Sequence, residues 1–377
     1  MTATRTYLDH NATEPLRVEA RAAMLAAMDR FGNPSSVHAE GRAARAVVEE
    51  AREQVAALVN AKPGEIVFTS GATEANAMAI GGRAWHSLLF GTAEHVAVLA
   101  PARRTTGAQT ELPCGANGVH DIAGVEAWAL GLPQSDAPAF ASLALANGET
   151  GVLQPVAELS ALLSPFNVVT HCDAAQAAGR VPIDFAALGL SLMSLSAHKM
   201  GGPKGAGALV VRDGTVLEAI FAGGGQERRR RAGTENVSGI AGFGAAAAAA
   251  RRDVERAGEI RVLRDSLEAA LRQRTPEAVV IGEAAERLPN TTLVAMPGKL
   301  AETLVIKLDL MGFAVSAGAA CASGKVGASH VLEAMGVPPE VARGAVRISL
   351  GYGTTAEDVE TFVAAWTAAT RQAALAA

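Results

Sequence analysis

One lysine of this chain stands where an amine meets an aldehyde: Ser196-Ala197-His198-Lys199-Met200-Gly201-Gly202-Pro203-Lys204-Gly205 follows the apolar run Leu190 to Leu195. A strand end would hold the amine rigidly, Ser196 and His198 would offer a hydroxyl and an imidazole to a phosphate, and the glycines would let backbone and ligand approach closely. Pyridoxal phosphate (PLP) is the cofactor this set suits; an exposed lysine in a turn is the alternative. Thr69-Ser70-Gly71-Ala72-Thr73-Glu74-Ala75-Asn76 runs from an apolar stretch through small residues into a helical pattern. Its unpaired N–H groups and the positive helix end make an anion site, although ordinary N-capping by Ser70 or Thr73 explains the residues equally well. His171-Cys172-Asp173-Ala174-Ala175-Gln176 ends another apolar run on a carboxylate. Burial there is unfavourable unless the charge is paired, with a protonated pyridine nitrogen or with the N-terminus of a helix that Asp173 caps. Arg347, inside Ala345-Val346-Arg347-Ile348-Ser349-Leu350, is a cation in an apolar strand. A fork for the α-carboxylate of an amino acid explains it, as does an internal salt bridge.

These residues need elements to bring them together, and the pattern supplies an alternation. A helix is expected over Ser36 to Asn60, then a Pro63-Gly64 turn and the strand Ile66 to Thr69. Further strands are expected at Val96 to Leu99, Phe140 to Leu145, Val168 to Cys172, Leu192 to Ser196 and Ala206 to Val211. Continuously apolar strands separated by helices imply a mainly parallel sheet covered on both faces, a three-layer α/β/α domain. Beyond Gly239 a long helix (about Ala241 to Arg274) leads into a second alternation: strand Thr292 to Met296, helix Ala301 to Met311, strands Phe313 to Ser316 and Val346 to Leu350, helix Ala356 to Ala374. The expected organisation is an N-terminal segment 1–16 packed with the small domain, a large domain 17–255 and a smaller α/β C-terminal domain 256–377. Ligands in open parallel sheets bind beyond the carboxyl ends of strands, where Thr69, Asp173 and Lys199 all fall.

Composition excludes several classes. At 377 residues, 49% of them hydrophobic, the chain exceeds the size of a single core. A net charge of −5 offers no basic stripe for nucleic acid. Gly239 to Ala250 is alanine-rich and stops at Arg251-Arg252, short of a membrane span, and no apolar signal core opens the chain, so a cytoplasmic protein is expected. Cys114, Cys172 and Cys321 form no Cys-x-x-Cys pair, which argues against a disulfide framework or a bound metal. Only Cys321 lies in a small-residue, glycine-punctuated stretch (Ala317 to Gly327), expected to be a mobile loop suited to a thiol that visits a site and leaves; Cys172 reads as a buried hydrophobe and Cys114 as a surface thiol.

Read in register, Tyr7-Leu-Asp-His-Asn-Ala-Thr-Glu-Pro15, Asn33-Pro-Ser-Ser-Val-His38, Phe68-Thr-Ser-Gly-Ala-Thr-Glu74, Glu94-His95, Gly148-Glu-Thr-Gly-Val-Leu-Gln-Pro155, His171 to Gln176, Ser196 to Lys199, Gly202-Pro-Lys-Gly205, Gly223-Gly-Gly-Gln-Glu227, Arg231-Ala-Gly-Thr-Glu-Asn236, Ser316 to Cys321 and Val346-Arg-Ile-Ser-Leu-Gly351 follow one family order. Over essentially its whole length the chain resembles a class V, fold type I PLP-dependent transferase, specifically a cysteine desulfurase of the NifS/IscS-like group. The resemblance implies that Lys199 carries PLP, that Asp173 faces the pyridine nitrogen and that Gln176 reaches the phenolate oxygen. It implies phosphate binding by Ala72, Thr73, Ser196 and His198, and by Thr234 toward the neighbouring subunit of a homodimer. It also implies that His95 stacks on the ring and accepts a proton, that Arg347 and Asn11 bind the L-cysteine substrate, and that Cys321 takes its sulfur as a persulfide for an acceptor such as an iron–sulfur scaffold. Where the family carries two asparagines this chain has Asn147-Gly148, leaving Asn147, a water or Gln176 alone at the phenolate oxygen. His10 and Gly201 also depart from the pattern, and Arg83 to Ala129 matches poorly apart from Glu94-His95. Another class V enzyme (an aminotransferase or a selenocysteine/cystine lyase) and a non-catalytic scaffold are the alternatives, which retention of both Lys199 and Cys321 disfavours.

Overall fold

The computed structural model describes residues 5–133, 137–318 and 329–371. Cys321, assigned above to carry the sulfur, lies outside them. Strand β1 (Thr6–Tyr7) opens the described chain. It is followed by β2 (Ile66–Thr69), β3 (Ser87–Gly91), β4 (Ala108–Leu112), β5 (Ala139–Ser142), β6 (Val169–Asp173), β7 (Leu192–Ser196) and β8 (Gly207–Val211). The last seven form one sheet in the order β2-β8-β7-β6-β5-β3-β4. Strand β8 runs antiparallel to both β2 and β7, and the remaining pairs are parallel. The carboxyl ends of β2, β3, β5, β6 and β7 therefore share one edge of the sheet. Apolar clusters fill both faces, Val48, Val55 and Phe243 on one and Ile80, Trp85 and Leu99 on the other. This is why the central strands read as unbroken apolar runs. Gly207 faces Thr69 in the β2–β8 ladder. A Cβ there would come within 2.5 Å of the Gly71 backbone, so only glycine lets β8 pass behind the turn that leads out of β2.

The second layer of organisation is a four-stranded antiparallel sheet. It is made of β9 (Val279–Ile281), β10 (Thr291–Ala295), β12 (Ser316–Ala317) and β13 (Ala345–Ser349), in the order β12-β13-β10-β9, while β11 (Phe313–Ala314) pairs in parallel with β1. Its core gathers Leu8, Ile260, Leu267, Val294, Leu304, Phe362 and Trp366, so the segment just after β1 packs with the C-terminal part of the chain. No helix among the described residues is long and apolar enough to cross a membrane.

Several expected elements differ. Val96 to Leu99 is not a strand but the start of a helix, Val96–Ala102, because the His95 side chain caps it by accepting the Ala97 amide. The strand of that region is β3, fully buried, inside the stretch that matched the family poorly. The expected long helix Ala241 to Arg274 is two helices, Val237–Asp253 and Ala257–Arg274, joined by a 3₁₀ turn. Phe313 to Ser316 divides between two strands that pair with different partners. Gly201 sits at φ +84 with the Arg17 side chain packed where a Cβ would project, which explains the small residue at this point.

Candidate active site

A cavity of about 680 Å³ opens at the shared strand edge, and segments from both sheets and from the N-terminal loop line it. Lys199 ends a 3₁₀ turn directly after β7. Its Nζ donates to the carbonyl oxygens of Asn11 at 2.6 Å and Ala12 at 3.0 Å, which hold the amine at the cavity wall. His198 bonds the Thr13 hydroxyl through Nδ1 at 3.2 Å. Burial, then the neighbouring cations Lys199, Lys204 and Arg180, push its pKa down to about 4, so it stays neutral.

Both Asp173 oxygens have partners, and the chain after β6 is a turn rather than the expected helix for it to cap. One oxygen accepts the Ala175 amide at 2.9 Å within that turn, and the other accepts the Asn76 side-chain amide at 2.7 Å. Asn76, on helix Ala72–Gly81, is a site residue that sequence reasoning passed over; the available signal was an amide on the buried face of an otherwise small and apolar helix. Beneath Asp173, His171 is clamped between the Ser142 and Ser194 hydroxyls at 2.8 and 2.9 Å, and burial lowers its pKa to about 4. Opposite, Ala72 and Thr73 open helix Ala72–Gly81, whose first amides have no intrahelical partner. With Ser196, His198 and Gly205 they ring one end of the cavity.

Glu94 and His95 form the third wall. Glu94 is fully buried; one carboxyl oxygen accepts the Ala144 amide at 2.5 Å and the other has no partner among the described residues. Burial raises its pKa to about 8 despite the Ala144 amide, with Asp173 adding to the rise. His95 is lowered, first by burial, with Lys199 and His330 adding to the fall and Asp173 opposing it. Its Nδ1 accepts the Ala97 amide at 3.1 Å, so neutral His95 carries hydrogen on Nε2.

The Glu94 proton leads to a measurable pH dependence. A carboxyl that ionises at its ordinary 4.5 when unfolded, but only near 8 when folded, stabilises the fold fully below the lower value. That contribution falls by about 1.4 kcal/mol per pH unit in between and is gone above the upper value. Glu94→Gln retains the acceptor for the Ala144 amide and loses the titration. Its stability relative to the parent is therefore expected to improve steadily as pH rises from about 5 to about 8, as read by denaturant unfolding. Parallel pH curves for the two proteins would show that Glu94 is ionised in the fold.

The fourth wall joins Arg347 of the smaller sheet to Asn11 and the Asn147-Gly148 turn, and the side chains there already make internal bonds. Arg347 does not present an open fork: one terminal nitrogen donates to Asp9 at 2.8 Å and the other to the Gly148 carbonyl at 3.0 Å, so the internal salt bridge is present, while buried Nε has no partner among the described residues. Asn11 lines the cavity with its backbone, but its side chain is committed to Thr291, Gly148 and Asn290. Asn147 lines the cavity and also holds its own turn: its Oδ1 accepts the Glu149 and Thr150 amides and its side-chain nitrogen donates to the Ala93 carbonyl. At Gln176, Arg180 donates to Oε1 at 2.8 Å and Nε2 donates to the Asn11 carbonyl at 3.1 Å. A Cβ at Gly148 would lie 3.1 Å from that same nitrogen. His330 and Glu149, neither expected from the sequence, complete this wall.

Thr234 is exposed and does not line this chain's cavity. Cys172 is buried in β6 with its thiol pushed well up by burial. Cys114 is half-buried beside Ala93 and Met335 rather than at the surface. No group of histidines, cysteines and carboxylates suited to a metal occurs among the described residues. The donor set suits PLP: a strand-end lysine, a paired carboxylate, a helix N-terminus flanked by hydroxyls, and a neutral imidazole around one cavity of sufficient volume.

The sequence matches the class V aminotransferase family model over residues 6–362. A cysteine desulfurase of Cereibacter sphaeroides is 43% identical, the alignment covering 94% of this chain and 93% of that protein. The cysteine desulfurase IscS of Dictyoglomus turgidum is 40% identical, with 94% and 91% covered. Among solved structures, a NifS-like protein from Rickettsia africae superposes with a TM-score of 0.89 at 33% identity, covering 97% of this chain and 99% of its own.

Proposed function

The chain belongs to the class V aminotransferase family, within which it is a PLP-dependent cysteine desulfurase, and on that premise we propose which of its residues carry the reaction. Lys199 holds the cofactor covalently through Nζ, Asp173 faces its ring nitrogen, Gln176 its phenolate oxygen, and Ala72, Thr73, Ser196 and His198 its phosphate. When bound, PLP supplies an electron sink for bond breaking at the substrate's α and β carbons. The observation that carries this assignment is Lys199, Asp173 and the first turn of helix Ala72–Gly81 lining one cavity.

Arg347 orients the substrate carboxylate, helped by the tether to Asp9 that fixes the guanidinium plane. Lys199 Nζ, already held toward the cavity by two carbonyls, takes the proton from the substrate's α carbon. The Asn76 amide and the Ala175 amide keep Asp173 fixed in the orientation it needs. The Cys321 thiolate attacks the substrate sulfur, taking it as a persulfide and leaving L-alanine.

Exposed Thr234 reaches the phosphate of a second copy in a homodimer. Exposed Val18, Met28 and Phe31, on and just after the first long helix, support a face that a second copy covers. Iron–sulfur cluster assembly is the destination we assign to the sulfur, and a cytoplasmic setting, where thiols stay reduced, suits that chemistry.

Incubating the purified protein with L-cysteine tests the assignment. Alanine and a protein-bound persulfide are expected from the wild type, and neither above background from Cys321→Ser. Alanine without persulfide, unchanged in Cys321→Ser, would instead identify a lyase.

A further inference from the structure

Two imidazoles line the cavity, and their hydrogen bonds leave them with different capacities. His95 Nδ1 accepts the Ala97 amide, which can only donate, so the basic nitrogen of neutral His95 is already engaged in capping helix Val96–Ala102. His330 Nε2 lies 2.8 Å from the Glu94 carbonyl oxygen, which can only accept, so Nε2 carries the hydrogen and Nδ1 carries the lone pair. His95 can take a proton only by giving up its cap; His330 can take one without breaking any bond to the described residues.

We propose that His330, through Nδ1, is the base that accepts the proton of the attacking thiol, while His95 serves beside it as a hydrogen-bond donor. This rests on the desulfurase reading. The ring lines the cavity. The carbonyl that orients it belongs to the peptide joining Glu94 to His95, so the two imidazoles are adjacent. Val331 and Leu332 bury their side chains in a cluster with Ala93, Leu293 and Met335, which anchors helix His330–Ala334 to the same wall. Ser329 caps that helix by accepting the Leu332 amide and donates to the Glu149 carboxyl at 2.6 Å.

His95 and Glu149 are the titratable groups whose charges interact with that of His330; Asp173, Lys199, Lys204 and Arg347 stand elsewhere on the same cavity wall. Glu94 turns its carboxyl away to Ala144 and offers only its carbonyl.

The step balances without an oxidant. The thiol S–H bond breaks and the Nδ1–H bond forms, with the electron pair left on sulfur. That pair then makes the S–S bond as the substrate's C–S bond breaks toward carbon, and the proton held on His330 ends on the alanine methyl group.

His330→Gln tests this, since its side-chain amide can still donate to the Glu94 carbonyl but cannot accept a proton. At neutral pH, kcat/KM for persulfide formation is expected to fall on the order of 100-fold. It should recover about tenfold per pH unit toward the free thiol's own pKa of roughly 8.5. The bound-cofactor absorbance and the spectral change on adding L-cysteine should be unaltered, which reports an intact site. A pH profile matching the wild type would overturn the proposal. Nitrogen NMR of the cofactor-loaded wild type gives a second reading that needs no variant: hydrogen on His330 Nε2 is expected, and hydrogen on Nδ1 instead would also overturn it. Failure of the desulfurase reading is distinct, because the wild type itself would then form no persulfide.

Discussion

Lys199→Ala is expected to abolish covalent attachment of PLP and to reduce cysteine turnover by roughly 10²–10⁴-fold from lost proton transfer alone. The amine is not a generic surface cation. It projects from a turn immediately after a buried strand and is fixed between two carbonyls of the N-terminal loop, which is itself tied to the small sheet through Asn11, Asn290 and Thr291. Replacing the side chain removes the only atom at that point able to bond an aldehyde, and leaves the loop in place through the remaining bonds. Lys204 lines the same cavity and is the natural competitor. Borohydride reduction of the loaded wild type followed by peptide mapping separates the two. A reduced adduct on Lys204, with turnover surviving in Lys199→Ala, would show that the assignment is wrong.

Glu227→Ala is expected to destabilise the fold by about 3–5 kcal/mol, the usual range when one partner is removed from a buried ion pair. Both Glu227 oxygens meet the Arg52 guanidinium, at 2.8 and 2.9 Å, and one also accepts the Phe68 amide at 2.9 Å. Arg52 in turn donates to the Ile66 carbonyl and lies over the Phe68 ring, 4.8 Å from its centre. Both side chains are nearly inaccessible, so truncation leaves a buried cation and an unpaired backbone amide in β2, the strand that leads into helix Ala72–Gly81. Replacing both partners at once, Arg52→Met with Glu227→Leu, should restore much of the loss, because then no charge is stranded. Denaturant unfolding reads both variants. A loss below about 1 kcal/mol in Glu227→Ala would mean that water reaches Arg52 and screens it.

Most of the cavity's contacts join distant parts of the chain. Lys199 and Asp173 stand at strand ends, yet their bonds reach the Asn11 and Ala12 carbonyls and the Asn76 side chain. Around Arg347, Asn11 and His330 the bonds join segments separated by most of the chain, such as Asn11 with Asn290 and Arg347 with Asp9. Arg347 and Asn11 looked in the sequence like substrate ligands, and in the fold each also makes a structural bond. Such bonds can also serve function: the Asp9 tether restricts the guanidinium before any substrate arrives, which reduces the entropy lost on binding.

From sequence alone, predominantly apolar strands separated by helices read as a buried parallel sheet, and a lysine, a carboxylate and a small-residue turn at strand ends read as a cofactor site. Both are local: a strand's burial and the chemistry of the turn after it are written in consecutive residues. What the tertiary structure alone decided is pairing between distant segments. The antiparallel insertion of β8 between β2 and β7, the commitment of Asn147 to its own turn, and the bond from His330 to the Glu94 carbonyl depend on how far-apart pieces close on one another. Val96 to Leu99 shows the same limit at short range. Its β-branched residues suit a strand, and only the cap that His95 makes in the folded chain turns them into a helix, directing one imidazole lone pair into backbone structure and leaving the other imidazole to chemistry.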